Sequence, residues 1–169
     1  MRPIAGGAAE TVKVSPTTAA LHGALAPNTT VVYVLDCSGS MGAAGKIDRA
    51  RAALGATLRL QGDGTRFQVI VYAGTAKPLL ATGAVAAGAG NVRMAIEKLE
   101  PLEARGKSNH LDAIRCALGF HPDVIVVLTD ADDLTRAALK PLLATMPRPV
   151  LVCVGRVTTE TVQRPQELK

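Results

Sequence analysis

Aromatic side chains are nearly missing from this chain: two Tyr, two Phe and no Trp in 169 residues. Its core must therefore be built from Val, Leu, Ile and Ala. Charge runs of one sign are also missing. The net charge is +5, but Lys and Arg are scattered, so no basic stretch marks a nucleic-acid surface and no nucleic-acid partner is expected. Cysteine is scarce, with three residues, which excludes a disulfide framework. Cys37, Cys116 and Cys153 fit no zinc spacing and read as small buried apolar side chains. His22, His110 and His121 are equally dispersed. No apolar run reaches the roughly 18 residues that span a bilayer, and Met1-Arg2-Pro3-Ile4-Ala5-Gly6-Gly7 lacks the apolar centre of a secretion signal. The compartment is left unspecified, although free thiols favour a cytoplasmic or otherwise soluble domain.

What is present is an ordinary globular composition, 48% hydrophobic and 20% charged, at a length that suits one domain with a real core. Residues 1–29 are rich in Ala, Gly, Pro and Thr and read as a linker, with an edge strand possible in its composition at 11–14. Residues 30–156 form the domain, and residues 157–169 a polar tail or short final element. Within the domain, residues 31–35, 67–72, 124–128 and 150–154 are apolar runs of strand length, and residues 78–81 suggest a short antiparallel edge strand. Helical spacing occupies residues 46–60, 91–99, 111–118 and 134–146. Ser108 is placed to cap the third of these helices, whose inward residues would be Leu111, Ile114 and Leu118. Pro141 should kink or divide the fourth. Asp132 and Asp133 read as residues of that helix's first turn, favoured by its dipole. Alternating strands and helices predict an α/β fold, its central sheet mostly parallel and flanked by helices on both faces.

Three loops in this pattern carry oxygen donors to one edge of the sheet. The first is Asp36-Cys37-Ser38-Gly39-Ser40, directly after the apolar run at 31–35. The second is Gly106-Lys107-Ser108-Asn109, just before a helix. The third is Thr129-Asp130, where Asp130 follows a buried strand as Asp36 does. Carboxylates and hydroxyls are hard ligands of the kind Mg2+ takes, and Gly39 lets the turn between Ser38 and Ser40 tighten. Open α/β sheets bind their ligands at the carboxyl ends of the strands. Asp36, Ser38, Ser40, Ser108 and Asp130 are therefore the candidate metal ligands. Asp36, at a strand end, is expected to matter for binding and not for the fold.

These residues resemble those of von Willebrand factor type A (VWA) domains. Asp36-x-Ser38-x-Ser40, Gly106-x-Ser108-Asn109 and Thr129-Asp130 look like the three parts of that family's metal-ion-dependent adhesion site (MIDAS). The resemblance covers residues 31–155 and implies a Rossmann-like sheet with one divalent cation at its top: Mg2+, with Mn2+ and Ca2+ as alternatives. It implies that Ser38, Ser40 and Ser108 bind the ion directly or through water, and that Asp36 and Asp130 bind it or hold its waters. It also implies an acidic residue from a partner protein in the remaining position. Ser108 stands where the family usually has Thr, and Ala131 where Gly is common. The family's long C-terminal helix is not evident in residues 157–169.

The expected function is thus a divalent-metal-dependent protein–protein interaction module, within a larger multidomain protein. It is not expected to be an enzyme. The alternative is a Mg2+-dependent nucleotide- or phosphate-processing enzyme on a similar fold. Its phosphate-loop pattern fails at Ser40, where Gly is required, and at Ile47, where Ser or Thr is required. No nucleophile elbow is present, and Ser38 stands where a phosphatase acting through Asp36 would normally want a second carboxylate.

Overall fold

The computed structural model describes residues 28–168 apart from Asp63 and Thr82. The linker-like segment and its candidate strand at 11–14 lie outside the described residues, except for Asn28 and Thr29. The described residues form a mixed, mostly parallel sheet of seven strands with four α-helices.

β1 (Thr30–Asp36) leads through a loop of 3₁₀ turns (Gly39–Gly45), kinked at Ala43 and Ala44, into α1 (Lys46–Arg59) and then β2 (Arg66–Tyr72). β3 (Ala76–Pro78), β4 (Val85–Ala86), α2 (Ala89–Leu99) and α3 (His110–Leu118) follow. The chain closes with β5 (Val124–Thr129), α4 (Arg136–Leu143), β6 (Leu151–Arg156) and β7 (Gln166–Glu167). The strand order is β3-β2-β1-β5-β6-β7, and β4 also pairs with β2. β1 runs parallel to both β2 and β5, and β5 parallel to β6. The short strands β3, β4 and β7 are antiparallel additions.

The central strands are apolar at nearly every position because both of their faces are covered. Val31, Tyr33 and Leu35 enter one core with Leu54 and Leu58 of α1 and Val92 and Ala95 of α2. Val32 and Val34 enter the other with Ile114 and Ala117 of α3 and Leu139 of α4. The two cores hold most of the buried side chains, and burial of apolar area at roughly 25 cal/mol per Å² is the main force behind the layering.

This topology also positions the candidate site. From β1 the chain builds outward to β2, then returns to lay β5 on the other side of β1. Loops leaving neighbouring strands at such a reversal part to opposite faces and open a crevice. Asp36 ends β1 and Asp130 directly follows β5, so the fold sets the two acids on either side of that crevice.

Several elements differ from the sequence reading. The edge strand comes earlier, at Ala76–Pro78, and the two-residue β4 is too short to leave a pattern. Asn109, not Ser108, caps α3, its side chain accepting from the backbone N–H of Asp112 at 3.1 Å. Leu111 is exposed, whereas Ala113, Ile114, Ala117 and Leu118 are buried. The helix begins at His110, whose side chain takes the inward position one turn before Ile114. Thr135 caps α4, accepting from the N–H of Ala138 at 3.2 Å. Asp132 and Asp133 thus precede the helix and pair with Arg156 and His110 instead. Pro141 lies inside α4 without dividing it, and the helix ends at Leu143. Residues after β6 fold back, through a Val157–Val162 bridge, to place β7 against β6. The close approach depends on Gly155, where an added Cβ would lie 3.1 Å from Gln163 O and 3.2 Å from Pro165 Cγ of the returning segment.

Candidate metal centre

Three polar side chains stand side by side at the top of the sheet. Asp36 is in register with Tyr72 of β2. Leu35 pairs with Leu128, which brings Asp36 beside Thr129 of β5. The pleat turns all three toward the α3–α4 layer. Asp36 and Thr129 have no exposed surface. Asp36 Oδ1 accepts from the backbone N–H of Ser38 at 2.8 Å, and Oδ2 accepts from Thr129 Oγ1 at 2.6 Å. Thr129 Oγ1 in turn accepts from the N–H of Ala131 at 3.0 Å. The expectation that Asp36 serves binding alone is therefore corrected: its carboxylate also ties the end of β1 to β5 and shapes the first loop.

Thr129 carries a role the sequence reading did not assign. Thr129→Val keeps the shape but strips a donor from a buried carboxylate and an acceptor from Ala131. It is expected to lower stability by about 1–3 kcal/mol, the cost of buried polar groups left unpaired. Urea denaturation of the variant beside the natural protein measures this.

From the first loop a line of hydroxyls runs to the third. Ser38, only 3% exposed, has its Oγ 3.2 Å from Ser40 Oγ. Ser40 Oγ donates to Asp130 Oδ1 at 3.0 Å. Asp36, Ser38, Ser40 and Asp130 are thus brought together in one hydrogen-bonded line across the reversal. Ser108 is not part of that line; its side chain is exposed. Its loop is nonetheless docked on the first one. Gly106 O accepts from Gly39 N at 2.8 Å and Cys37 O from Arg105 N at 2.8 Å, while Ala73 O, just after β2, accepts from Asn109 N at 2.9 Å. Gly106 has φ +80°, and a Cβ on Gly39 would sit 3.3 Å from Gly106 O, so glycine at both positions permits the contact.

Two further groups border the site. Lys46, the first residue of α1, places its ammonium 3.0 Å from Asp130 Oδ2 and 3.5 Å from the carbonyl of Ser40. The sequence marked this residue only by its place at a helix start and in the rejected phosphate-loop pattern. On the other side, Tyr72 Oη lies 2.6 Å from His110 Nδ1, and His110 Nε2 lies 3.2 Å from Asp133 Oδ1. Burial and then the Asp36 charge push the Tyr72 phenol far up, against a smaller opposing effect of its hydrogen bond with Thr129. It stays neutral. The Cys37 thiol is pushed up to about 11, by burial first and then by Asp36. It remains protonated, in keeping with its expected inertness.

The donor set fits a hard divalent ion. Among the described residues no group of three or more His, Cys, Asp or Glu is gathered for a metal, so an ion here would rely on hydroxyls as well as carboxylates. That mixture suits Mg2+ better than zinc or another soft metal. The ammonium of Lys46 beside Asp130 and the Ser40 carbonyl is a cation already seated among these oxygens.

Comparison with known proteins bears on the same residues. A family model for the von Willebrand factor type A domain matches residues 31–132. Among solved structures, the chain is similar to a von Willebrand factor type A protein from Catenulispora acidiphila, with TM-score 0.65 and 22% identity over 76% of this chain and 33% of that one. It is also similar to an aerotolerance-related membrane protein from Bacteroides fragilis, with TM-score 0.62 and 22% identity over 77% of this chain and 68% of the other. A third likeness is to proximal thread matrix protein 1 from the mussel byssus, with TM-score 0.54 and 15% identity over 76% of this chain and 36% of that one. The chain thus spans about a third of the Catenulispora protein. No curated protein matches it. No helix among the described residues is long and apolar enough to cross a membrane.

Proposed function

The chain belongs to the von Willebrand factor type A domain family, and from that premise we propose that it is a divalent-metal-dependent protein–protein interaction module. Domains of this family commonly mediate protein–protein interaction. The observation that carries the metal-dependent reading is the hydrogen-bonded line from Asp36 through Ser38 and Ser40 to Asp130. In this reading Ser38, Ser40 and Ser108 offer hydroxyl oxygens, and Asp130 offers a carboxylate that faces the crevice. Asp36 holds the Ser38 backbone and so orients the first loop. Mg2+ bound there supplies a coordination position that an acidic side chain of a partner protein can fill. The two aspartates formally neutralise such an ion, and Lys46 adds a further positive charge beside it, which favours an anionic partner. We read the domain as one module of a larger protein, in line with the third of the Catenulispora chain that it spans.

An enzymatic role finds less support. A phosphatase acting through Asp36 needs an accessible nucleophile, but both Asp36 oxygens accept hydrogen bonds and the side chain is fully buried.

Immobilised protein should retain a Glu-containing acidic peptide in Mg2+ and release it in EDTA, while the peptide with Gln in place of Glu is not retained. Retention that ignores both EDTA and the Glu-to-Gln change would overturn the reading. The metal should also raise the melting temperature only modestly, because it binds an already folded sheet. At tenfold Kd the stabilisation is about 1.4 kcal/mol, or roughly 3–6 °C for a chain near this size. Thermal unfolding with and without Mg2+ measures it; a chain that folds only on adding metal would contradict it.

A further inference from the structure

The position of Lys46 conflicts with simple helix electrostatics, and the conflict has a local resolution. Lys46 is the first residue of α1, where the helix dipole is positive and a cation is disfavoured. Its side chain does not extend into solvent, either: it is 16% exposed, and Asp130, its partner, is 10% exposed. The backbone just before it is shaped to aim it there. Ala44 and Gly45 both have positive φ, +52° and +70°. That conformation is uncommon for alanine, and Arg49 holds it, donating to the carbonyls of Ala44 and Thr158. The turn starts α1 so that the lysine reaches back across the first loop to Asp130 and the Ser40 carbonyl.

We propose that Lys46 is a tethered counter-ion for this site, which a divalent cation must displace from Asp130 before that carboxylate can serve the metal. The inference rests on the metal-binding reading above and deepens it. Without metal, the ammonium satisfies Asp130 and keeps the first and third loops together. With metal, the lysine gives up the carboxylate and remains nearby as positive charge. Lys46 therefore sets how tightly the site takes its ion, trading affinity for a loop arrangement that is already in place when metal arrives.

Calorimetric titration of Mg2+ into the natural protein, Lys46→Met, Lys46→Gln and Lys46→Arg tests this. Lys98→Met, which removes the same charge from the exposed last turn of α2, serves as control. Both neutral variants should bind Mg2+ at least about tenfold more tightly, because the ion no longer breaks a part-buried ion pair. Their metal-free melting temperatures should fall. Lys46→Arg and Lys98→Met should stay near the natural affinity. Binding by the neutral variants alone, with the natural protein too weak to measure, would also support the proposal. If the natural protein binds and the neutral variants bind no tighter, the counter-ion role is overturned while the metal site stands. If none binds, the metal reading falls and this inference with it. Lys46→Gln keeps a polar group beside Asp130, so the test survives should the methionine variant fail to fold.

Discussion

Asp36→Ala should lose Mg2+ binding altogether and also lower the unfolding free energy by about 2–4 kcal/mol, since two buried donors lose a charged acceptor. The Ser38 N–H and the Thr129 hydroxyl both point at this carboxylate, at 2.8 and 2.6 Å. Neither has water access to replace it. Asp36→Asn should fall between, because its amide oxygen can accept one of these bonds while its NH2 faces the other donor. Urea denaturation gives the stability loss, and calorimetry on the folded variants gives the binding loss. A variant as stable as the natural protein would mean that the tie between β1 and β5 does not matter, and that Asp36 is a loop ligand only.

Leu35→Ala should show the opposite pattern: a large loss of stability with metal affinity nearly unchanged in the folded molecules. Leu35 is fully buried in the core shared with α1 and α2. Truncating such a leucine costs about 2–5 kcal/mol, depending on how far the cavity collapses. Although it directly precedes Asp36, the pleat sends it to the other face of the sheet, away from the carboxylate's two donors. Thermal and urea unfolding together with Mg2+ titration separate the two effects. Equal loss of affinity in both variants would mean that the site depends on general rigidity of β1 rather than on the hydrogen bonds of Asp36.

The sheet and most helices were legible in the sequence because burial on both faces leaves continuous apolar runs, as at residues 31–35 and 124–128. The reach of the first and third loops toward each other was legible for a related reason: an acid at or just after the end of a buried strand has little choice but the sheet's carboxyl edge. What escaped the sequence reading depends on contacts between distant segments. Asn109 rather than Ser108 caps α3 because the cap is the residue directly before the helix, which begins at His110. Thr129 reads as one more β-branched strand residue until its register with Asp36 is known. Lys46 reads only as the start of a helix and as the lysine of a rejected phosphate-loop pattern, and the left-handed turn at Ala44 and Gly45 directs it back to Asp130. The packing of β7 onto β6 left no periodic signal, since a two-residue strand is shorter than any pattern.

The central claim is that Asp36, Ser38, Ser40, Ser108 and Asp130 form one divalent-cation site, and anomalous diffraction from crystals grown with Mn2+ tests it most directly. Mn2+ takes the same oxygen ligands as Mg2+ and is visible by its own scattering. One strong anomalous peak is expected between the first and third loops, within coordination distance of the Ser38 and Ser40 hydroxyls. The Asp130 carboxylate should be turned to the ion and the Lys46 ammonium withdrawn from it. Crystals in which Lys46 still pairs with Asp130 at saturating Mn2+, with no peak beside the two serines, would contradict the claim.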